Sequence, residues 1–90
     1  MAFIGVSGIS VDFGFSMADE LEAAVGRSYI QAADRTIVLA DSSKIDKVTF
    51  ARLCPLNLLD TLITDNGITS QQLDVLVKAG LEVVVAPFIG

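Results

Sequence analysis

The sequence contains no histidine. That removes His-based catalytic triads and His-ligated metal sites together. Cysteine occurs once, as Cys54, so no disulfide can close within the chain. A single thiol without a histidine partner reads as a buried structural residue rather than a nucleophile. Together with the lack of any stretch resembling a signal peptide, it points to the cytoplasm. Lysine and arginine number six against eleven acids, a net charge of −5, and the cations are scattered. Without a basic patch, direct nucleic-acid binding by this segment is not expected. No apolar run reaches the length of a membrane span, and neither a Walker-type nor a dinucleotide glycine fingerprint occurs.

What the chain has in abundance is apolar character. Hydrophobic residues make up 52% of 90 positions and the mean hydropathy is +0.63. This is a core-forming chain, one small domain or part of one. A domain of this size exposes much of its surface, so the apolar excess suits a face that meets a partner or a further part of a chain.

The organising stretch is Thr36-Ile37-Val38-Leu39-Ala40-Asp41-Ser42-Ser43-Lys44. Its first five residues fit a strand buried on both faces of a parallel sheet. Its polar tail then lies beyond the strand's carboxyl end, where open α/β sheets bind ligands. Asp41 offers an acceptor, Ser42 and Ser43 donate or accept, and Lys44 carries a mobile positive charge. Such a set suits an oxygen-rich anion such as a sugar phosphate. It equally suits a turn, since Asp-Ser-Ser is ordinary turn chemistry.

The flanking segments read as follows. Ala2–Val6 is a buried strand, and it starts so close to Met1 that the chain resembles the edge of a longer one. Ser7–Ser10 forms a turn, and Val11–Phe15 a loop. Ser16 followed by Asp19 matches a helix start signal. Glu20 and Glu22 complement the helix dipole, and Leu21, Ala24, Val25, Ser28 and Ala32 form the sheet-facing stripe. Gly26 inside this helix costs about 1 kcal/mol relative to alanine, a cost that close packing would offset. Val48–Leu53 fits a short strand better than a helical turn and ends at Pro55. Thr61–Thr64 is another strand, closed by the Asp65-Asn66-Gly67 turn. Thr69 and Gln72 form a capping box on a second helix, with Leu73, Leu76 and Val77 on one face and Gly80 as the stop. Leu81–Ala86 is the final strand. Strands alternating with helices predict an α/β fold, a mostly parallel sheet with flanking helices. Its carboxyl-end loops then gather Ser7, Gly8, Asp41–Lys44 and Asp65 on one rim. Ser7-Gly8 offers backbone N–H groups to an anion or simply turns the chain. Glu22 faces the rim or serves the dipole. Asp65 caps its turn or reaches the ligand.

Taken together, these residues resemble the carboxyl-terminal half of the sensor domain of DeoR-type bacterial transcription regulators. The resemblance rests on Ala2–Ile9, Gly14-Phe15-Ser16, Glu22-Ala23 with Arg27 and Ile30, Ala40–Lys44, and Leu62–Asp65. The family often has lysine where Gly26 stands and Phe-Gly where Ile45-Asp46 stands. The resemblance implies a Rossmann-like, three-layer half of a domain similar in fold to ribose-5-phosphate isomerase. It implies a phosphorylated sugar or related metabolite as effector and no cofactor. DNA binding would lie in a separate amino-terminal domain outside residues 1–90. The apolar excess, independently of the resemblance, suits a homo-oligomer and leaves open an oligomerisation module with an empty site. The isomerase family carries an Asp-rich segment where Ser7-Gly8-Ile9-Ser10 stands here. Without those carboxylates an enolising proton transfer lacks its base, so a binding domain rather than an enzyme is expected. The ligand contacts implied are Asp41, Ser43 and Lys44, with Ser7, Gly8 and Glu22 behind them.

Overall fold

The computed structural model describes residues 1–87. Four short strands form a parallel sheet: β1 (Ala2–Gly5), β4 (Thr36–Leu39), β6 (Thr61–Asp65) and β7 (Glu82–Ala86), in that spatial order. Three more, β2 (Gly8–Ser10), β3 (Gly14–Met17) and β5 (Ala51–Cys54), form a small antiparallel sheet. Helix α1 (Glu20–Ala32) joins β3 to β4, and α2 (Ser70–Lys78) joins β6 to β7. The expected α/β class with a parallel sheet and flanking helices is therefore what forms.

One face of the parallel sheet makes the core. Ile4, Val38 and Leu62 stand in register on it, packed with Ile9, Phe15 and Leu53 of the small sheet, Leu76 of α2, and Leu81. The opposite face is open. Phe3 on β1 is 58% exposed and Leu39 on β4 is 45% exposed. The strands expected to be buried on both sides are thus buried on one.

Three local expectations are corrected. Ser7–Ser10 is not a turn, nor is Val11–Phe15 wholly a loop, because Gly8–Ser10 and Gly14–Met17 pair as antiparallel strands. These runs are too short to show a period of two along the sequence, so only their pairing reveals them. Ser16 does not cap α1. It is fully buried in β3, where its Oγ accepts the Thr49 N–H at 3.0 Å and lies 2.8 Å from Thr49 Oγ1. The cap is Asp19, whose carboxylate accepts the Glu22 N–H at 2.8 Å.

The buried face of α1 is also not the predicted stripe. Leu21 and Val25 are exposed, and the helix instead buries Ala23 and Gly26. Gly26 sits so close to β5 that a Cβ there would lie 2.8 Å from Leu53 Cδ1. Small residues let α1 lie tight on the small sheet, which a stripe of large side chains would prevent. In the third segment the strand starts at Ala51, three residues later than Val48, and ends at Cys54 before Pro55.

Helix α2 matches its sequence signals. Thr69 and Gln72 make both bonds of the capping box, each at 3.0 Å. Gly80 follows the helix at φ +96°, the left-handed conformation that glycine adopts without a Cβ penalty. Of its predicted face only Leu76 is fully buried, while Val77 is half exposed.

Candidate functional site

Parallel strands open all their carboxyl ends on one rim. Here that rim collects the residues after β1, β4 and β6. Ala40 continues the β4–β6 ladder, donating its N–H to the Ile63 carbonyl at 3.2 Å. At Asp41 the backbone leaves the sheet and Ser42–Lys44 close a single 3-10 turn. The Lys44 N–H bonds the Asp41 carbonyl at 3.1 Å and the Ile45 N–H bonds the Ser42 carbonyl at 3.2 Å.

Two carboxylates hold this turn. Asp41 caps it from within, accepting the Ser43 N–H at 2.9 Å and the Ser43 hydroxyl on the same oxygen. Those bonds, hydroxyl first, favour the charged form and hold Asp41 below the usual carboxylate range. Asp65 clasps the turn from β6. Its Oδ2 accepts the Ser42 N–H at 3.0 Å and its Oδ1 accepts the Gly67 N–H at 2.8 Å. The Ser42 backbone bond leads the causes that lower the Asp65 pKa as well. Asp65 therefore does cap its own turn, and it also ties the β4 loop to the β6 loop. Space at the join is tight, since a Cβ on Gly67 would fall 2.5 Å from Ser42 Oγ.

The segment after β1 lies beside this turn. Ile9 bridges to Ile45 in parallel, and the Asp46 N–H bonds the Ile9 carbonyl at 2.7 Å. Asp46 holds φ +69°, the left-handed region that glycine enters most easily, and its carboxylate accepts from Gln72 Nε2 at 2.9 Å. Ser7 spends its N–H on the Ser16 carbonyl at 2.9 Å, which leaves its hydroxyl for other partners. Gly8 is buried, and a Cβ there would sit 2.6 Å from both the Lys47 carbonyl oxygen and Ser16 Oγ. Packing alone accounts for glycine at that position.

Asp41, Ser43, Lys44, Ser7 and Gly8 thus belong to one neighbourhood. Glu22 belongs to another. It lines an apolar groove of about 450 Å³ with Phe3, Gly5, Met17 and Val25, between β1 and α1. None of the other five lines that groove. Lys44 joins none of the ion pairs among the described residues, so its ammonium is available to an anion. The described residues contain no cluster of side chains able to hold a metal ion. They also contain no helix long and apolar enough to cross a membrane.

The Asp65–Ser42 clasp and the Gln72–Asp46 tie were not readable in the sequence. Their partners lie 23 and 26 positions apart, and no local pattern links them.

Residues 1–66 match the family described as the DeoR C terminal sensor domain. The chain belongs to that family. Among curated DeoR relatives, it is 40% identical over 84 residues to the HTH-type transcriptional repressor GlcR of Bacillus subtilis, covering 93% of the chain and 32% of GlcR. It is 37% identical over 84 residues to a candidate aga operon transcriptional repressor of Escherichia coli O157:H7, covering 93% of the chain and 31% of that protein. It is 26% identical over 84 residues to the HTH-type regulator GlpR of Haloferax volcanii, covering 93% and 33% respectively. The chain spans about a third of the length of these relatives.

Proposed function

We propose that residues 1–90 are the carboxyl-terminal portion of the effector-sensing domain of a cytoplasmic DeoR-type transcription repressor, and that the rim loop binds a phosphorylated sugar. The observation that carries this reading is the Asp41–Lys44 turn. It is clamped by two carboxylates at the strand ends, and Lys44 is left without an ion-pair partner among the described residues. A preformed loop loses little entropy on binding. Lys44 neutralises the phosphate, the Ser43 N–H and hydroxyl proton are spent holding Asp41 in place, and the Ser43 oxygen and the second Asp41 oxygen accept from sugar hydroxyls. Ser7 supplies its hydroxyl and Gly8 its backbone from the adjacent segment. Glu22, which lines the separate groove between β1 and α1, takes no part in this site. The domain binds without catalysis and without a cofactor. DNA contact belongs to a separate helix-turn-helix domain, of the kind that the names of GlcR and GlpR carry, and the whole regulator is a homo-oligomer.

The test is thermal unfolding against a panel of phosphorylated sugars. Two proteins serve: the 90-residue chain, and a graft in which this chain replaces the matched third of GlcR. A true effector at a hundred times its Kd stabilises by about 2.7 kcal/mol, and Lys44→Ala removes the shift. A graft that responds to no member of the panel, or responds equally with Lys44→Ala, overturns the reading.

A further inference from the structure

The turn after β6 holds a reactive pair. Asp65, Asn66, Gly67 and Ile68 form a β-turn closed by the Ile68 N–H on the Asp65 carbonyl at 3.3 Å, and its two central residues are exposed. Asparagine followed by glycine is the pairing in which a main-chain nitrogen most readily reaches a side-chain amide, because glycine puts no Cβ in the path. At many turns glycine answers a need for positive φ, and asparagine can take its place. Gly67 is different. The positive-φ glycines among the described residues are Gly14 and Gly80, and Gly67 is held by space instead. A Cβ there would lie 2.5 Å from Ser42 Oγ and 2.8 Å from Asp65 Oδ1. The contact that joins the two rim loops therefore fixes glycine after Asn66.

The same contact restrains the reaction. Attack on Asn66 requires the Gly67 nitrogen to shed its proton and bond to Cγ. That N–H donates to Asp65 Oδ1 at 2.8 Å, and Asp65 is itself anchored by the Ser42 N–H on Oδ2 at 3.0 Å. A carboxylate is too weak a base to take an amide proton outright, and its charge opposes an amide anion forming beside it. Asp65 thus withholds the N–H from solvent base.

We infer that Asn66-Gly67 is a site of spontaneous covalent modification whose rate is set by Asp65. The Gly67 nitrogen bonds to Asn66 Cγ as the Cγ–Nδ2 bond breaks, and the displaced proton leaves with the amide nitrogen as ammonia. Water then opens the cyclic imide at one of its carbonyls, giving hydroxyl to the carbon and a proton back to the ring nitrogen. Nothing is oxidised or reduced. Opening at Cγ leaves an aspartyl residue at position 66. Opening at the main-chain carbonyl leaves an isoaspartyl link, with the chain running through Cγ. Either product adds a carboxylate next to Asp65. The isoaspartyl link also adds a methylene to the main chain between Asp65 and Gly67, so Asp65 cannot keep its bonds to Gly67 and Ser42 in their present geometry. Modification at Asn66 releases the clasp on the rim turn, whichever ligand the rim takes.

The test incubates the chain at mildly alkaline pH, folded and in urea, and follows position 66 by peptide mass spectrometry with an assay for isoaspartyl groups. Conversion in the folded chain is slower by about tenfold, the factor carried by one hydrogen bond to a charged group. Asn66→Gln, whose amide would have to close a larger ring, stays unconverted in both. Asp65→Ala raises the folded rate by about the same factor, while the amides of β6 stay protected from hydrogen exchange and show that the chain remains folded. No conversion in urea, equal rates in the folded and unfolded chain, or a folded Asp65→Ala that converts no faster than the native chain each overturns the inference. Where Asp65→Ala does not fold, hydrogen exchange at Gly67 in the native chain decides. An amide held by Asp65 is protected and loses that protection as the carboxylate is protonated in acid, and an unprotected Gly67 amide overturns the inference.

Discussion

Gly8 provides the sharpest test of how the rim is built. A methyl group there meets the Lys47 carbonyl oxygen and Ser16 Oγ at 2.6 Å, well inside contact distance. The Lys47 atom is backbone and cannot swing away. Overpacking of this kind costs about 1–3 kcal/mol. Ser16 Oγ cannot move freely either, because it is buried, accepts the Thr49 N–H and lies within hydrogen-bond distance of the Thr49 hydroxyl. Displacing it orphans a polar group at about 1–3 kcal/mol more. The expected loss for Gly8→Ala is therefore about 3 kcal/mol, a large share of the roughly 5–13 kcal/mol available to a domain this size. In a thermal scan that is a fall of about 12–24 °C. Gly5→Ala is the control, since its Cβ would find only the Leu39 carbonyl at 3.8 Å, an ordinary contact. It should shift the midpoint by no more than about 4 °C, within the half kcal/mol typical of tolerated surface changes. If Gly8→Ala melts with the native chain, the steric account of the β1–β2 connection is wrong.

Other outcomes follow from single residues. Removing the α2 cap with Thr69→Ala should cost about 1 kcal/mol in urea unfolding, and Ser70→Ala beside it should cost far less. The Cys54 thiol is pushed up to about 11 by burial, so alkylation at pH 8 should proceed only as fast as the chain opens. Because the folded value lies above the ordinary 9.0, the associated stability is complete below pH 9 and is lost as pH rises towards about 11. The carboxylates behave oppositely. Asp41 and Asp65 are lowered from 3.8, so their contribution is present above that value and fades as pH falls below it. Asp65→Asn should flatten the acid limb of the stability curve, and an unchanged limb would show that the clasp on Ser42 is not made in solution.

The regular elements were legible wherever the signal is local. The α2 cap, Gly80 as its stop, the β4 run and the Asp65-Asn66-Gly67 turn each depend on residues within a few positions of one another, and all formed as read, save that β4 is buried on one face and not two. The failures share a cause. Ser16 carries a valid helix-start pattern, yet burial against Thr49 is worth more to it than a cap that Asp19 can supply. Leu21 and Val25 have helical spacing, yet the helix turns Ala23 and Gly26 inward because only small residues fit against Leu53. At the rim, the sequence supplied the chemical types in Asp41-Ser42-Ser43-Lys44 but not what holds them.

By itself, then, the order of residues settled the α/β class, the parallel strands and the identity of the polar loop, because periodicity, caps and turns act over short distances. Tertiary structure alone decided that Asp65 clamps that loop, that Glu22 lies apart from it, and that one face of the sheet stays open. Those outcomes depend on partners more than twenty positions apart and on the direction in which the strands are wound, and neither leaves a mark on neighbouring residues.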